Sequence, residues 1–264
     1  MSDELAVTPI GTSPAWYNPG EPASGTLVEV DGFRLLVDCG SGVIARYVDR
    51  WAPALPIDAI VITHAHPDHT FDLVPLKYGL LYGALGWDAP QLWLPPGGHG
   101  RLQRLAQSFD GGEDFFTESF DLRTYHPRTT VSIGPFDLRT REVPHYIESW
   151  ALRLDHARGS IAFSGDMGPD DGIVELVRGV DLFICEAGAP AGTEPPPDAG
   201  HLPPELAGRY AREARAGELM INHVPAELGL ERQVDVARAC FGGPTVAAMP
   251  MVRHVVGGHA RRPG

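Results

Sequence analysis

Lysine is almost missing from this chain: Lys77 is the single one beside 20 arginines, and 34 acidic residues leave a formal net charge of −13. No basic run is longer than Arg261-Arg262. A long-range field of this sign repels nucleic-acid backbones, so large RNA or DNA is a poor candidate partner. Cysteine is scarce too. Cys39, Cys185 and Cys240 make an odd count without a Cys-x-x-Cys spacing, which gives no support to a disulfide framework or a cysteine-bound metal. Cys39 and Cys185 end apolar runs and read as small buried hydrophobes. No uninterrupted apolar segment reaches 18 residues, so no transmembrane helix and no membrane partner is expected. The start, Met1-Ser2-Asp3-Glu4-Leu5, lacks the basic and apolar regions of a signal peptide, and the expected location is cytoplasmic.

What the chain does have is a 43% hydrophobic content over 264 residues, enough for a sizeable core. We read one domain over residues 1–256 and a mobile tail over 257–264. The stretch that organises it is Thr63-His64-Ala65-His66-Pro67-Asp68-His69-Thr70, between the β-branched run Ile57 to Ile62 and an apolar helical segment, Leu73 to Leu85. His64 and His66 fall on one side of an extended turn and can grip one ion. Asp68 continues in that direction while His69 opens the next element, so the four suit two adjacent metals better than one. Imidazoles and a carboxylate suit zinc, and also manganese or iron.

Around this stretch the chain reads as strands, hairpins and short helices. Leu5 to Ile10 is a strand, and the loop from Gly11 to Gly20, with Trp16 and Tyr17, reads as a lip over a pocket. Leu27 to Val30 and Phe33 to Val37 form a hairpin at Asp31-Gly32. Asp38, at the end of its second strand, either caps the following helix or supports the histidines from behind. Gln91 to Leu94 is a strand, Arg101 to Ser108 a helix, and His99 a solvated loop residue. A second hairpin, Thr130 to Val143, delivers His145. Ile161 to Phe163 leads into Ser164-Gly165-Asp166, where a carboxylate at a strand end can bridge two cations. Val180 to Cys185 is a buried strand ending in Glu186. His201 follows Gly200 before a helix, Leu206 to Ala214, and Glu218 to Ile221, read as the last core strand, presents Asn222-His223. Strands alternating with helices after hairpin-rich segments suggest two sheets covered by outer helices.

The spacing His64-x-His66-x-Asp68-His69, followed in order by His145, Asp166 and His223, resembles the signature of the metallo-β-lactamase superfamily. The resemblance implies an α+β fold, the αββα sandwich of two mixed sheets flanked by helices. It implies two divalent metal ions, most simply zinc: one held by His64, His66 and His145, the other by Asp68, His69 and His223, with Asp166 bridging them. Asp38 and Glu186 would stand behind the ligands, and Asp68 and His201 are the catalytic candidates. A hydroxide shared by two cations is a nucleophile at neutral pH, since metal binding lowers the pKa of water from about 16 to near 7.

Within that superfamily, Gly200-His201-Leu202-Pro203-Pro204-Glu205 looks like the tRNase Z-type phosphodiesterases, whose equivalent histidine donates a proton to the leaving oxygen. Those enzymes insert a tRNA-gripping arm where only 20 residues separate His145 from Asp166 here. They also carry glycine where Pro67 stands, and a different stretch from Val224-Pro225-Ala226-Glu227. Both departures count against tRNA 3′-end processing. The chain resembles the armless branch, including actinobacterial cyclic-nucleotide phosphodiesterases and cyclic-phosphate hydrolases. The expectation is a di-metal hydrolase of a small anionic phosphodiester. A lactone or thioester hydrolase is the alternative, and a non-catalytic metal-bound interaction module a third reading. A homodimer is admitted as the assembly.

Overall fold

The computed structural model describes residues 4–257 except 110 and 197. After β1 (Ala6–Gly11) and a long loop, β2 (Gly25–Val30) turns at Asp31-Gly32 into β3 (Phe33–Val37). Both turn residues have positive φ, 51° and 88°, as a tight hairpin between right-twisted strands requires. Then come α1 (Val43–Trp51), β4 (Ala59–Val61), α2 (Pro67–Thr70), α3 (Leu73–Tyr82), β5 (Gln91–Leu94), α4 (Gly98–Gln107) and β6 (Asp121–Thr124). The second half opens with the meander β7 (Val131–Ile133), β8 (Phe136–Val143), β9 (Ser149–His156) and β10 (Gly159–Phe163). It continues through α5 (Ile173–Leu176), β11 (Leu182–Glu186), α6 (Pro204–Ala214), β12 (Glu218–Asn222), α7 (Leu230–Phe241), β13 (Thr245–Ala247) and β14 (His254–Val255).

These strands make two seven-stranded mixed sheets, ordered β14-β1-β2-β3-β4-β5-β6 and β13-β12-β11-β10-β9-β8-β7. Each is antiparallel at one end and parallel at the other. In the first, β14, β1, β2 and β3 pair antiparallel and β3 to β6 parallel. In the second, β7 to β10 pair antiparallel and β10 to β13 parallel. The inner faces meet in a core that includes Val28, Leu35, Trp150, Leu152, Phe163 and Ile184. The outer faces are covered by helices: α1, α3 and α4 supply Tyr47, Leu76 and Leu102 against the first sheet, and α6 and α7 supply Tyr210 and Phe241 against the second. A strand covered on both faces reads as a continuous apolar run, which is why Leu182 to Cys185 lacks alternation. The architecture is the expected αββα sandwich.

Several expectations on single elements are corrected. Glu218 to Ile221 is not the last strand, because β13 and β14 follow α7 and extend both sheets. His99 is solvent-exposed, but it lies in α4, which starts at Gly98 behind a left-handed Gly97. Asp38 does not cap α1: the Ile44 N–H at that helix start goes to Asp72 Oδ2, 2.8 Å away. The tail expected to be mobile falls on residues 258–264, outside the described residues, apart from Gly257.

Candidate metal centre

The chemistry-bearing side chains gather where strand carboxyl ends of the two sheets meet. Asp38 follows β3, His64 follows β4, His145 follows β8, Asp166 follows β10, Glu186 closes β11 and His223 follows β12. The sheets are joined there by a backbone bridge between His64 and Ser149. Asp38 and His223 have left-handed backbones, φ 62° and 55°, which costs a non-glycine residue on the order of 1–2 kcal/mol and turns each side chain out of its strand direction. The motif loop is clamped by its backbone, with Ser24 N–H donating to Asp68 O at 3.1 Å and Cys39 N–H to His69 O at 2.8 Å. The packing is so close that a Cβ on Gly40 would come within 1.9 Å of Asp68 O. Pro67 opens α2 at its first position, where a missing N–H costs nothing.

The histidines and aspartates that the motifs single out form two adjoining donor groups. In the first, His64 Nε2 lies 3.0 Å and His145 Nε2 3.1 Å from His66 Nδ1. The hydrogen of each outer ring is already committed elsewhere. His145 Nδ1–H donates to Gly200 O at 2.8 Å, and His64 Nδ1 faces Thr63 Oγ1 at 3.1 Å, whose own O–H goes to Asp38. Lone pairs therefore converge, with at most one hydrogen from His66 to share among them. In the second group, His69 Nε2 is 3.4 Å from both Asp68 Oδ2 and Asp166 Oδ2, and His223 Nε2 is 3.4 and 3.3 Å from the same two oxygens. Donors on a tetrahedral ion with bonds of about 2.0–2.1 Å are about 3.3–3.4 Å apart, so these separations fit one ion well. Asp166 Oδ2 also lies 3.8 Å from His64 Nε2 and so touches both groups.

The electrostatics point to a cation. Burial, with charge repulsion from the neighbouring rings, holds His64, His66 and His145 below the ordinary histidine range, so these rings are neutral at pH 7 and able to donate lone pairs. His69 moves the other way: burial opposes its charge, but Asp166 and Asp38 outweigh burial and raise it well above the usual range. Asp68 and Asp166 are buried, yet the surrounding histidines hold both well below the carboxylate range. The buried His69 Nε2 has no hydrogen-bond partner among the described residues. A carboxylate pair around such a nitrogen demands positive charge, from a proton or from a metal, and the donor set fits divalent ions.

Behind the donors, Asp38 accepts from Thr63 N–H at 2.8 Å and from His69 Nδ1–H at 2.8 Å. That engages Nδ1 of His69 and turns its Nε2 toward Asp68 and Asp166. Glu186 accepts from Met167 N–H at 2.7 Å and Gly188 N–H at 3.0 Å, and faces His201 Nδ1 at 3.1 Å. Burial works against charge on His201, but Glu186 prevails and raises it to about 9. A cleft of about 410 Å³ opens onto His66, Asp68, His145, Asp166, His201 and His223. Its wall includes Trp16, so the loop after β1 does form a lip; Asn18 ties that loop to Val224 O and Ala226 N–H. Tyr146, which no motif picked out, also lines the cleft, as does Gly188. Tyr146 stood next to His145 in sequence, and that adjacency was the only signal for it. His99 and His156 lie outside the cleft.

Two mixed sheets between helical layers, with a histidine-aspartate centre at their shared edge, define the fold of a metal-dependent hydrolase family. A model of the beta-lactamase superfamily domain matches residues 33–224, and the chain belongs to that superfamily. An uncharacterized protein of Mycobacterium leprae, ML1173, is 32% identical over 93% of this chain and 86% of its own length. The probable metallo-hydrolase YhfI of Bacillus subtilis is 29% identical over 84% of this chain and 87% of its own length. Its crystal structure superposes with a TM-score of 0.82, covering 96% of this chain and 99% of that one. The short form of human tRNase Z, 20% identical, shares the fold with a TM-score of 0.71 over 95% of this chain and 99% of its own. The superfamily binds divalent metals, and this chain has the clusters to hold them.

Proposed function

We propose that this protein hydrolyses a small phosphodiester with two divalent ions, zinc being the first choice. One ion is assigned to His64, His66 and His145, the other to Asp68, His69 and His223, with Asp166 shared. When bound, the ions activate water at neutral pH and offset negative charge at phosphorus. The chain supplies the rest. Asp38 and Gly200 O orient His69 and His145, and the buried carboxylates keep the ligand rings in place.

The observation that carries the phosphodiester reading is His201. It is not needed as a ligand, it lines the cleft beside the donors, and Glu186 keeps its ring charged. A charged imidazole is a proton donor for a departing alkoxide, the poor leaving group of a phosphodiester. The resemblance to the tRNase Z-type branch agrees with this, whereas the −13 charge and the short His145–Asp166 connection argue against tRNA itself.

Metal-loaded protein should turn over cyclic nucleotides and an aryl phosphodiester faster than lactones, thioesters and β-lactams, and a chelator should abolish it. The reverse preference would make this a carbonyl hydrolase. No chelator-sensitive turnover on any of them would leave a metal-bound interaction module.

A further inference from the structure

The cleft beside the donors has two properties that the donors do not explain. Large aromatic rings stand exposed at it. Trp16 is 53% exposed, with its indole N–H held by Glu227 Oε1 at 3.1 Å. Tyr146 is 67% exposed and packs its ring 5.0 Å from His145 and 5.9 Å from His201. Gly200 is shaped to this ring, for a Cβ there would come within 2.4 Å of it. Exposing two such rings at a cleft forfeits the burial that usually stabilises an aromatic side chain, unless a ligand covers them.

The second property is a lack of countercharge beyond the donors and His201. Among the described residues, no lysine or arginine lines the cleft. Pro14, Ala15, Pro67, Gly188 and Pro225 complete the wall around the rings and the donors. A single phosphoryl group can be met by His201 and by cations held at the donors, but further phosphates would enter an acidic protein without a lysine or arginine to meet them.

We propose that Trp16 and Tyr146 bind a flat, uncharged ring of the substrate, and that the substrate joins one such ring to one phosphoryl group, as a cyclic mononucleotide does. This rests on the phosphodiester reading. Base stacking on an aromatic side chain is sequence-tolerant and falls by roughly tenfold or more on truncation to alanine, so the site is expected to prefer a nucleobase in general over a bare sugar phosphate. An oligonucleotide gains nothing by being longer.

The test is calorimetric binding to the zinc-loaded protein, with adenosine monophosphate, ribose phosphate and a short single-stranded trinucleotide as probes. Adenosine monophosphate should bind about tenfold or more tightly than ribose phosphate, and the trinucleotide no more tightly than the mononucleotide. Trp16→Ala and Tyr146→Ala should each erase most of that base preference, while Trp16→Phe and Tyr146→Phe should keep it. Melting curves report whether each variant folds. Equal affinity for the first two probes in the native protein overturns the proposal, as do parallel losses on both probes in the alanine variants, or a trinucleotide that binds tenfold tighter. A base preference without turnover of any phosphodiester would sink the phosphodiester reading and leave the ring site standing. Turnover without a base preference would do the opposite.

Discussion

The Nδ1 of His201 sits 3.2 and 3.1 Å from the two carboxylate oxygens of Glu186, and the His201 ring stacks on His223 with centroids 5.5 Å apart and planes 18° apart. Because Nδ1 is engaged, only Nε2 of His201 is left to meet a substrate. A positioned proton donor contributes typically about 10²–10⁴ in rate. His201→Ala is expected to keep the fold and both ions and to lose activity of that order on a cyclic nucleotide, whose leaving group is an alkoxide. The loss on a p-nitrophenyl ester, whose phenolate departs unaided, should be much smaller. Steady-state rates on the two substrates, with metal analysis of the variant, check this. Equal losses on both would mean that His201 positions the substrate and does not protonate the leaving group.

Asp166 touches both donor groups, 3.8 Å from His64 Nε2 and 3.3 Å from His223 Nε2. Asp166→Ala should therefore be the most damaging single ligand change, lowering the content from two ions per chain to one or none and abolishing turnover. Metal analysis after saturation with zinc or manganese measures it. A native protein that takes up one ion at most would remove the two-ion assignment. Zinc uptake near pH 7 should also release on the order of one proton, because His69 gives up the hydrogen that its carboxylate neighbours favour. Calorimetry in buffers of different ionisation enthalpy counts that proton.

Asp38 reaches no donor cluster itself, yet its carboxylate takes the Nδ1–H of His69 and both the N–H and O–H of Thr63. An amide in its place puts an N–H₂ against donors. Asp38→Asn should weaken zinc binding by roughly 10- to 100-fold, as loss of an outer partner of a metal-binding histidine commonly does. Competition with a chromophoric chelator gives the affinity. Unchanged affinity would reduce Asp38 to a brace for the motif loop.

The candidate centre is legible to the extent that its donors are local. His64, His66, Asp68 and His69 are close enough in sequence for a rigid turn to bring them together, whereas His145, Asp166 and His223 were placed through resemblance, since nothing in their own surroundings shows that three strand ends converge. Trp16 is legible only as part of a lip loop and Tyr146 carries no pattern at all, because the cleft wall they share forms where two loops meet. Among the elements, β13 and β14 are three and two residues long and hold through pairing with neighbours, too short for any periodic signal. The helix α7 hides its stripe behind Gln233, buried at 1% exposure because its side chain bonds Ala187 O, Ala189 O and the Ala191 N–H. A polar residue satisfied by tertiary contacts looks, in sequence, like a surface residue.

The closing strand offers a prediction on stability. His254 of β14 in the first sheet pairs through Nε2 with Glu218 Oε2 of β12 in the second, at 2.8 Å, so one ion pair ties the two sheets together near the chain's end. The hydrogen bond to Glu218 raises the His254 pKa, with burial opposing and charge attraction adding to it. A histidine raised in the folded state contributes fully below its unfolded value of about 6.5 and loses that contribution as pH climbs through the folded value. The pair is partly exposed, with 24% of the His254 side chain in solvent, so its worth is about 0.5–1 kcal/mol after screening. Glu218→Gln should therefore lower the melting temperature of the chelator-treated protein by on the order of one to three degrees at pH 6, and by clearly less at pH 9. A gap between variant and native protein that stays constant, or widens, with rising pH would show that the charge on His254 plays no part in holding the sheets together.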